Sequence, residues 1–157
     1  MKLSVFTAGL ISILSWGFGY SASSQMIDAS DPFSIVGLIQ QEGYQAKLES
    51  NEIGDPKISG RLDSLNWNMI FYSCQDNRNC ASVQLVSAFD LPDGMSMERV
   101  NEFNRNLRWA DVDLDEEGDP FLRMDINLAF GVSEDNFKDS FDWWRIMLAE
   151  FATFIDW

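Results

Sequence analysis

The sequence predicts a two-layer α+β domain. An antiparallel sheet of about six strands carries helices on one face, in the order α-β-β-β-β-α-β-β-α. Three observations lead there. The apolar period switches along the chain between the helical value and two, which separates helical from extended segments. The links between extended segments are short, which favours hairpins over crossovers. The extended segments alternate apolar and polar residues, as in a sheet with one covered and one wet face.

The first helix is expected in "SDPFSIVGLIQQEG". Ser30 or Asp31 can cap it, Pro32 suits its first turn and Gly43 its exit. Ile35, Leu38 and Ile39 fall on one side. Then Tyr44, Ala46 and Leu48 alternate with polar residues, as do Ile58, Gly60 and Leu62, giving two strands. "NWNMIFYSC" and "ASVQLVSAFDL" give two more. A second helix follows Ser96, with Val100, Phe103 and Leu107 at helical spacing. "WADVDL" and "PFLRMDINL" are the last strands; in the latter Leu122, Met124, Ile126 and Leu128 point one way, and Phe121, Arg123, Asp125 and Asn127 the other. Ser133 caps the final helix, with Val132 and Phe137 placed as a hydrophobic staple.

A chain of 157 residues holds one domain, and 46% hydrophobic residues suffice to offset chain entropy. The net charge of −14 repels nucleic acid and anionic lipid, so no nucleic-acid partner is expected. The opening differs. "MKLSVFTAGLISILSWGFGYSASSQ" has one Lys, an apolar run and small residues at its end, the layout of a secretory signal peptide. Residues 1–23 are read as that leader, with cleavage after Ser23 or Ser24, and residues 24–157 as the domain. A retained anchor is the alternative. The expectation is a periplasmic or secreted bacterial protein without stable membrane association once the leader is removed. Cys74 and Cys80 flank "QDNRN" between two strands. In an oxidising compartment they are expected to form a structural disulfide at a hairpin.

"EIGDP" at 52–56 returns as "EEGDP" at 116–120. Asp113, Asp115 and Glu117 invite a calcium reading, but position twelve of such a loop would be Met124, and the flanks are strands. A repeated turn explains both copies: Gly takes positive φ, Asp favours the turn, and Pro starts a strand.

No His is present, which excludes His-based triads and the usual zinc sites, and no Gly-rich phosphate loop occurs. No catalytic residue, metal site or cofactor is expected. Two alternatives stay open: a carboxylate-dependent hydrolase of envelope polysaccharide, and a cation-responsive module using the acidic 113–119 hairpin. In the last helix Phe137, Phe141, Trp144, Leu148, Phe151 and Ile155 make a core stripe. Trp143, Met147 and Phe154 make a second, with Trp157 just beyond. That second stripe is either buried under the first helix or a contact surface for a protein, a peptide or a second copy.

"VNEFNRNLRWADVDLDEEGDPFLRMDINL" followed by "GVSEDNFKDSFDWW" and "LAEFATFI" resembles the YbjN-domain family, as does "IVGLIQQEGYQAKL" at the start. The resemblance spans about residues 33–155. The family is described as candidate regulators of bacterial sensory transduction, with a fold similar to type III secretion chaperones and no accepted catalytic motif. The resemblance thus implies a non-enzymatic, chaperone-like or regulatory interaction module. The leader and the cysteine pair depart from the many members that look cytoplasmic.

Overall fold

The computed structural model describes residues 26–157. The expected leader, residues 1–23, lies outside the described residues. The elements in chain order are β1 (Met26–Ile27), α1 (Pro32–Gln41), β2 (Gln45–Ser50), β3 (Pro56–Leu62), β4 (Leu65–Tyr72), β5 (Ser82–Ala88), α2 (Met97–Asn106), β6 (Asp111–Leu114), β7 (Pro120–Asn127), β8 (Val132–Ser133) and α3 (Glu134–Phe154). The predicted three helices and six-stranded antiparallel sheet are present, with order β2-β3-β4-β5-β7-β6 and all helices on one side. The sequence reading lacked β1 and β8, which pair antiparallel through Met26–Ser133 and Ile27–Val132.

Each helix begins where a short side chain can take up a free backbone N–H. Asp31 accepts from Ser34 N, Ser96 from Arg99 N and Ser133 from Asn136 N. Two of the helix ends close in the same way. At α1, Gly43 N–H donates to the Gln40 carbonyl and Tyr44 N–H to that of Ile39. At α3, Asp156 N–H donates to Thr153 and Trp157 N–H to Ala152. This is the Schellman closure, with Gly43 (φ 90°) and Asp156 (φ 57°) in the left-handed conformation it demands.

The core lies between the sheet and α3. Trp67, Met69 and Phe71 from β4 and Leu122, Met124 and Ile126 from β7 are buried against Phe137, Phe141, Trp144, Leu148 and Phe151. Phe141 meets Trp67 edge-on at 5.3 Å. α1 flanks the start of α3, where Lys138 bridges Glu42 and Glu134 at 2.8 Å each. α2 flanks its end, where Phe103 meets Phe151 at 4.8 Å. The Trp67 ring lies on bare backbone at Gly60. A β-carbon there would stand 2.2 Å from the ring and 2.4 Å from the Gln45 carbonyl oxygen.

The two Gly-Asp-Pro segments are one turn built twice. Asn51 N–H donates to Asp55 O and Gly54 N–H to Asn51 O; Asp115 N–H donates to Asp119 O and Gly118 N–H to Asp115 O. The side-chain oxygen of Asn51 accepts from Ile53 and Asp55, and that of Asp115 from Glu117 and Asp119. Gly54 and Gly118 have φ 92° and 87°. Cys74 and Cys80 are bonded. Within their loop Asp76 and Asn77 (φ 52° and 59°) form the tight two-residue turn that a hairpin's twist favours, closed by two hydrogen bonds between Gln75 and Arg78. The Asn77 amide then donates to Ile53 O and to the Asp55 carboxylate, tying this hairpin to the first Gly-Asp-Pro turn.

Candidate protein-interaction surface

The second stripe of α3 does not behave as one surface. Met147 is only 3% exposed and belongs to the core, which corrects its placement among the contact residues. Burial under α1, the alternative that the sequence leaves open, is not what the structure shows: Phe154 meets α2, and Trp143 meets the link after it. Phe154 is half-buried, packed on Phe103 at 5.3 Å. Arg99 of α2 reaches across it, with its guanidinium 4.4 Å from the ring centroid and a 2.6 Å hydrogen bond to the Phe154 carbonyl. A cation thus meets the negative end of α3. Trp157 is 57% exposed and presses its ring edge-on to Phe89 at 5.2 Å, held there by the Schellman closure.

Trp143 is half-buried, and the reason is a residue the sequence reading placed at the start of a strand. Trp109 stacks on it at 5.5 Å with 29° between the planes. Trp109 is itself 44% exposed, and the Arg108 guanidinium lies 5.4 Å from its ring. Its position follows from its neighbours: Ala110 is buried, and Asn104 of α2 bonds both backbone groups of Val112. The link between Leu107 and Ala110 is thus anchored at its far end by the buried Ala110 and the Asn104–Val112 bonds. Ile146, one turn after Trp143, is also exposed. Trp109, Trp143 and Ile146 form an apolar patch on the helical layer, with Arg108 at its margin.

The acidic turn is occupied with structural work. Asp113 holds Arg123 at 2.7 Å, and Asp115 and Asp119 accept backbone N–H groups, Asp119 from Leu91 at 2.9 Å. Among the described residues no group of three or more His, Cys, Asp or Glu is arranged to hold a metal ion. The two described carboxyl groups with a shifted pKa, Asp31 and Glu49, are both shifted down. The Ser34 hydroxyl and N–H do this for Asp31, and the Lys47 ammonium, with the Ser59 hydroxyl, for Glu49. Lys47 is raised by the same partner, and Lys138 by Glu134 and Glu42. A general acid needs the opposite shift, a carboxyl pushed up.

The profile of a known family, YbjN, described as "Putative bacterial sensory transduction regulator", matches residues 34–157. The chain belongs to the YbjN family. The match begins inside α1 and runs through α3, so the whole YbjN domain is the sheet, its three helices and the tryptophan patch. The YbjN description is that of a regulator and not of an enzyme. No curated protein and no solved structure matches the chain. No described helix is long and apolar enough to cross a membrane.

Proposed function

We propose that this YbjN domain is an exported, non-enzymatic protein-interaction module of regulatory or chaperone-like type. The observation that carries the proposal is the Trp109–Trp143 pair. Aromatic side chains bury about 150–250 Å² each when enclosed. Here two of them, one from α3 and one from the link after α2, stack yet stay partly open beside the exposed Ile146. Tryptophan with a neighbouring arginine is the composition enriched at energetic centres of protein interfaces. The Cys74–Cys80 bond fits an oxidising compartment and supports export. The family's description as a regulator agrees with binding as the mode of action. The expected partner is a protein or peptide segment with an apolar anchor, and Phe154 and Trp157 extend the surface toward the end of α3.

The test is recovery of partners from the periplasm of cells expressing the full chain, with wild type compared to a Trp109→Ser/Trp143→Ser variant of unchanged melting temperature. A partner held by the wild type and lost by the variant is the expected result. Identical recovery from both proteins would remove the patch from consideration.

A further inference from the structure

A cleft of about 400 Å³ opens where the link from α1 to β2, the turn between β3 and β4 and the middle of α3 come together. Two arginines line it, Arg61 near the end of β3 and Arg145 on α3. In a chain with 11 basic and 25 acidic residues, two bases in one small cleft run against composition. Asp63 lines it as well, and its apolar wall includes the buried Leu62 and Leu148 and the half-buried Tyr44. The volume falls at the lower end of the range for small-molecule sites, about 300–1,000 Å³.

The charged groups of this cleft are held in place without being neutralised. Only Asp63 and Ser64 separate β3 from β4, between the paired Leu62 and Leu65. The Arg61 guanidinium curls over this turn, donating from Nε to the Asp63 carbonyl at 3.0 Å and from Nη2 to the Ser64 carbonyl at 3.5 Å. Neutral carbonyls thus position the guanidinium and leave its charge uncancelled. Among the described residues no carboxylate lies within ion-pair distance of Arg61, not even that of Asp63, and no base lies within that distance of Asp63. The ion pair that two residues so close in sequence could form is left unmade. Arg145 is steadied by Asp142, Nε to Oδ1 at 3.3 Å, and by the Tyr44 ring, whose centroid lies 5.7 Å from its guanidinium. Both guanidiniums keep further N–H donors, in the planar arrangement that takes a carboxylate through parallel bonds.

We propose that this cleft binds a free α-amino acid with an apolar side chain. Its carboxylate goes to Arg61 and Arg145, its ammonium group to the Asp63 carboxylate, and its side chain against Leu62, Leu148 and Tyr44. The three kinds of group in the cleft match the three parts of such a molecule. A dianion such as phosphate fits less well, because Asp63 repels it. A purely apolar ligand would strip water from both arginines and from Asp63 and give them no partner. Donors already fixed by the turn and by Tyr44 lose little freedom on binding. Arg145 and Trp143 leave α3 about 200° apart on an ideal helix, so the cleft lies on the opposite flank from the tryptophan patch. The amino-acid site and the interaction surface therefore stand or fall independently.

Calorimetric titration with L-leucine and with L-phenylalanine, each to about 10 mM, tests this on dialysed protein recovered from cells expressing the full chain. Saturable uptake of at least one of them is expected. The analogue of the bound amino acid without its ammonium group, isocaproate or hydrocinnamate, should bind at least about tenfold more weakly. So should the analogue without its carboxylate, isoamylamine or phenethylamine. Arg145→Gln should weaken the amino acid at least about tenfold. Asp63→Asn should weaken the amino acid and leave the analogue without the ammonium group unchanged. Asn tolerates the left-handed conformation of position 63 (φ 52°), and the Arg145 side chain is 43% exposed, so both variants should fold as wild type. No uptake of either amino acid overturns the proposal, as does equal binding of the analogues or binding indifferent to both variants. Should either variant lower the melting temperature, the comparison of analogues on the wild type decides.

Discussion

The carboxamide of Asn104 makes both hydrogen bonds of a missing strand to Val112, donating to its carbonyl at 3.1 Å and accepting from its N–H at 2.9 Å. At the other edge of the sheet the Gln40 amide donates to the Ala46 carbonyl at 2.8 Å. Open edges invite pairing with other chains, and here one side chain from α2 and one from α1 occupy them. Asn104→Ala should cost about 1–3 kcal/mol, because two partly buried backbone groups lose their partners. It should also increase aggregation on heating. Urea unfolding together with light scattering measures both, and a variant as stable and as soluble as wild type would refute the role.

Gly60→Ala should be among the most damaging single-atom additions in the domain. The new carbon would meet the Trp67 ring and the Gln45 backbone together, and neither can give way without disturbing the core or a strand. Overpacking of this kind costs about 1–3 kcal/mol, and more where backbone is involved. Denaturant midpoints and the emission spectrum of Trp67 should both shift. An unperturbed spectrum would show that the ring does not rest on Gly60.

The stripe on α3 should divide under mutation. Met147→Ala should cost about 2–5 kcal/mol as a core truncation. Trp109→Ser should cost only about 1 kcal/mol, the worth of an exposed aromatic pair. Equal losses at the two positions, read by thermal unfolding, would contradict the division.

Replacing Cys74 and Cys80 by Ser should lower stability by about 2 kcal/mol with the fold kept, since the loop they close is short. The Asn77 contacts to Ile53 and Asp55 should then weaken too, which amide exchange in the two hairpins would report.

Acid should loosen the start of α1. The folded-state pKa of Asp31 is lowered, chiefly by the Ser34 hydroxyl, below its ordinary 3.8. A lowered carboxylate contributes stability above its unfolded value and loses it as pH falls through the folded one. The loss therefore falls below about pH 4, and Glu49, lowered chiefly by Lys47, adds to it in the same direction. Asp31→Asn keeps a competent cap and should flatten this part of the profile. A carboxyl resonance of Asp31 titrating at or above 3.8 would contradict the assignment.

The sheet was legible because it is wet on one side. Burial on one face forces alternation, and β7 shows it without exception from Leu122 to Ile126. The repeated turn was legible because Gly is the residue that takes its left-handed corner without steric cost and Pro cannot donate at the strand that follows. β1 and β8 were not, since two residues carry no period and Ile27 finds Val132 only through the assembled fold. The stripe on α3 misled for a related reason. A helical wheel orders residues by angle, but the width of the buried arc depends on which helices flank it. α2, not α1, packs on the end of α3 through Phe103 and Arg99, and the buried arc is wide enough to take in Met147. Trp109 looked like a strand residue because its alternation continues that of β6; its true neighbour, Trp143, comes from a distant helix.

The central place of α3 sets a timetable. The strands β2 to β5 can pair as successive hairpins as soon as they exist, yet the helical layer over them is incomplete, and Trp67 lacks its Phe141 neighbour, until the last 21-residue helix has been made. A ribosome must therefore release nearly the whole polypeptide before the molecule can become itself. Any machinery that needs a threadable chain has until then to take hold of it, and a copy cut short before Glu134 would be left as an uncovered, adhesive sheet.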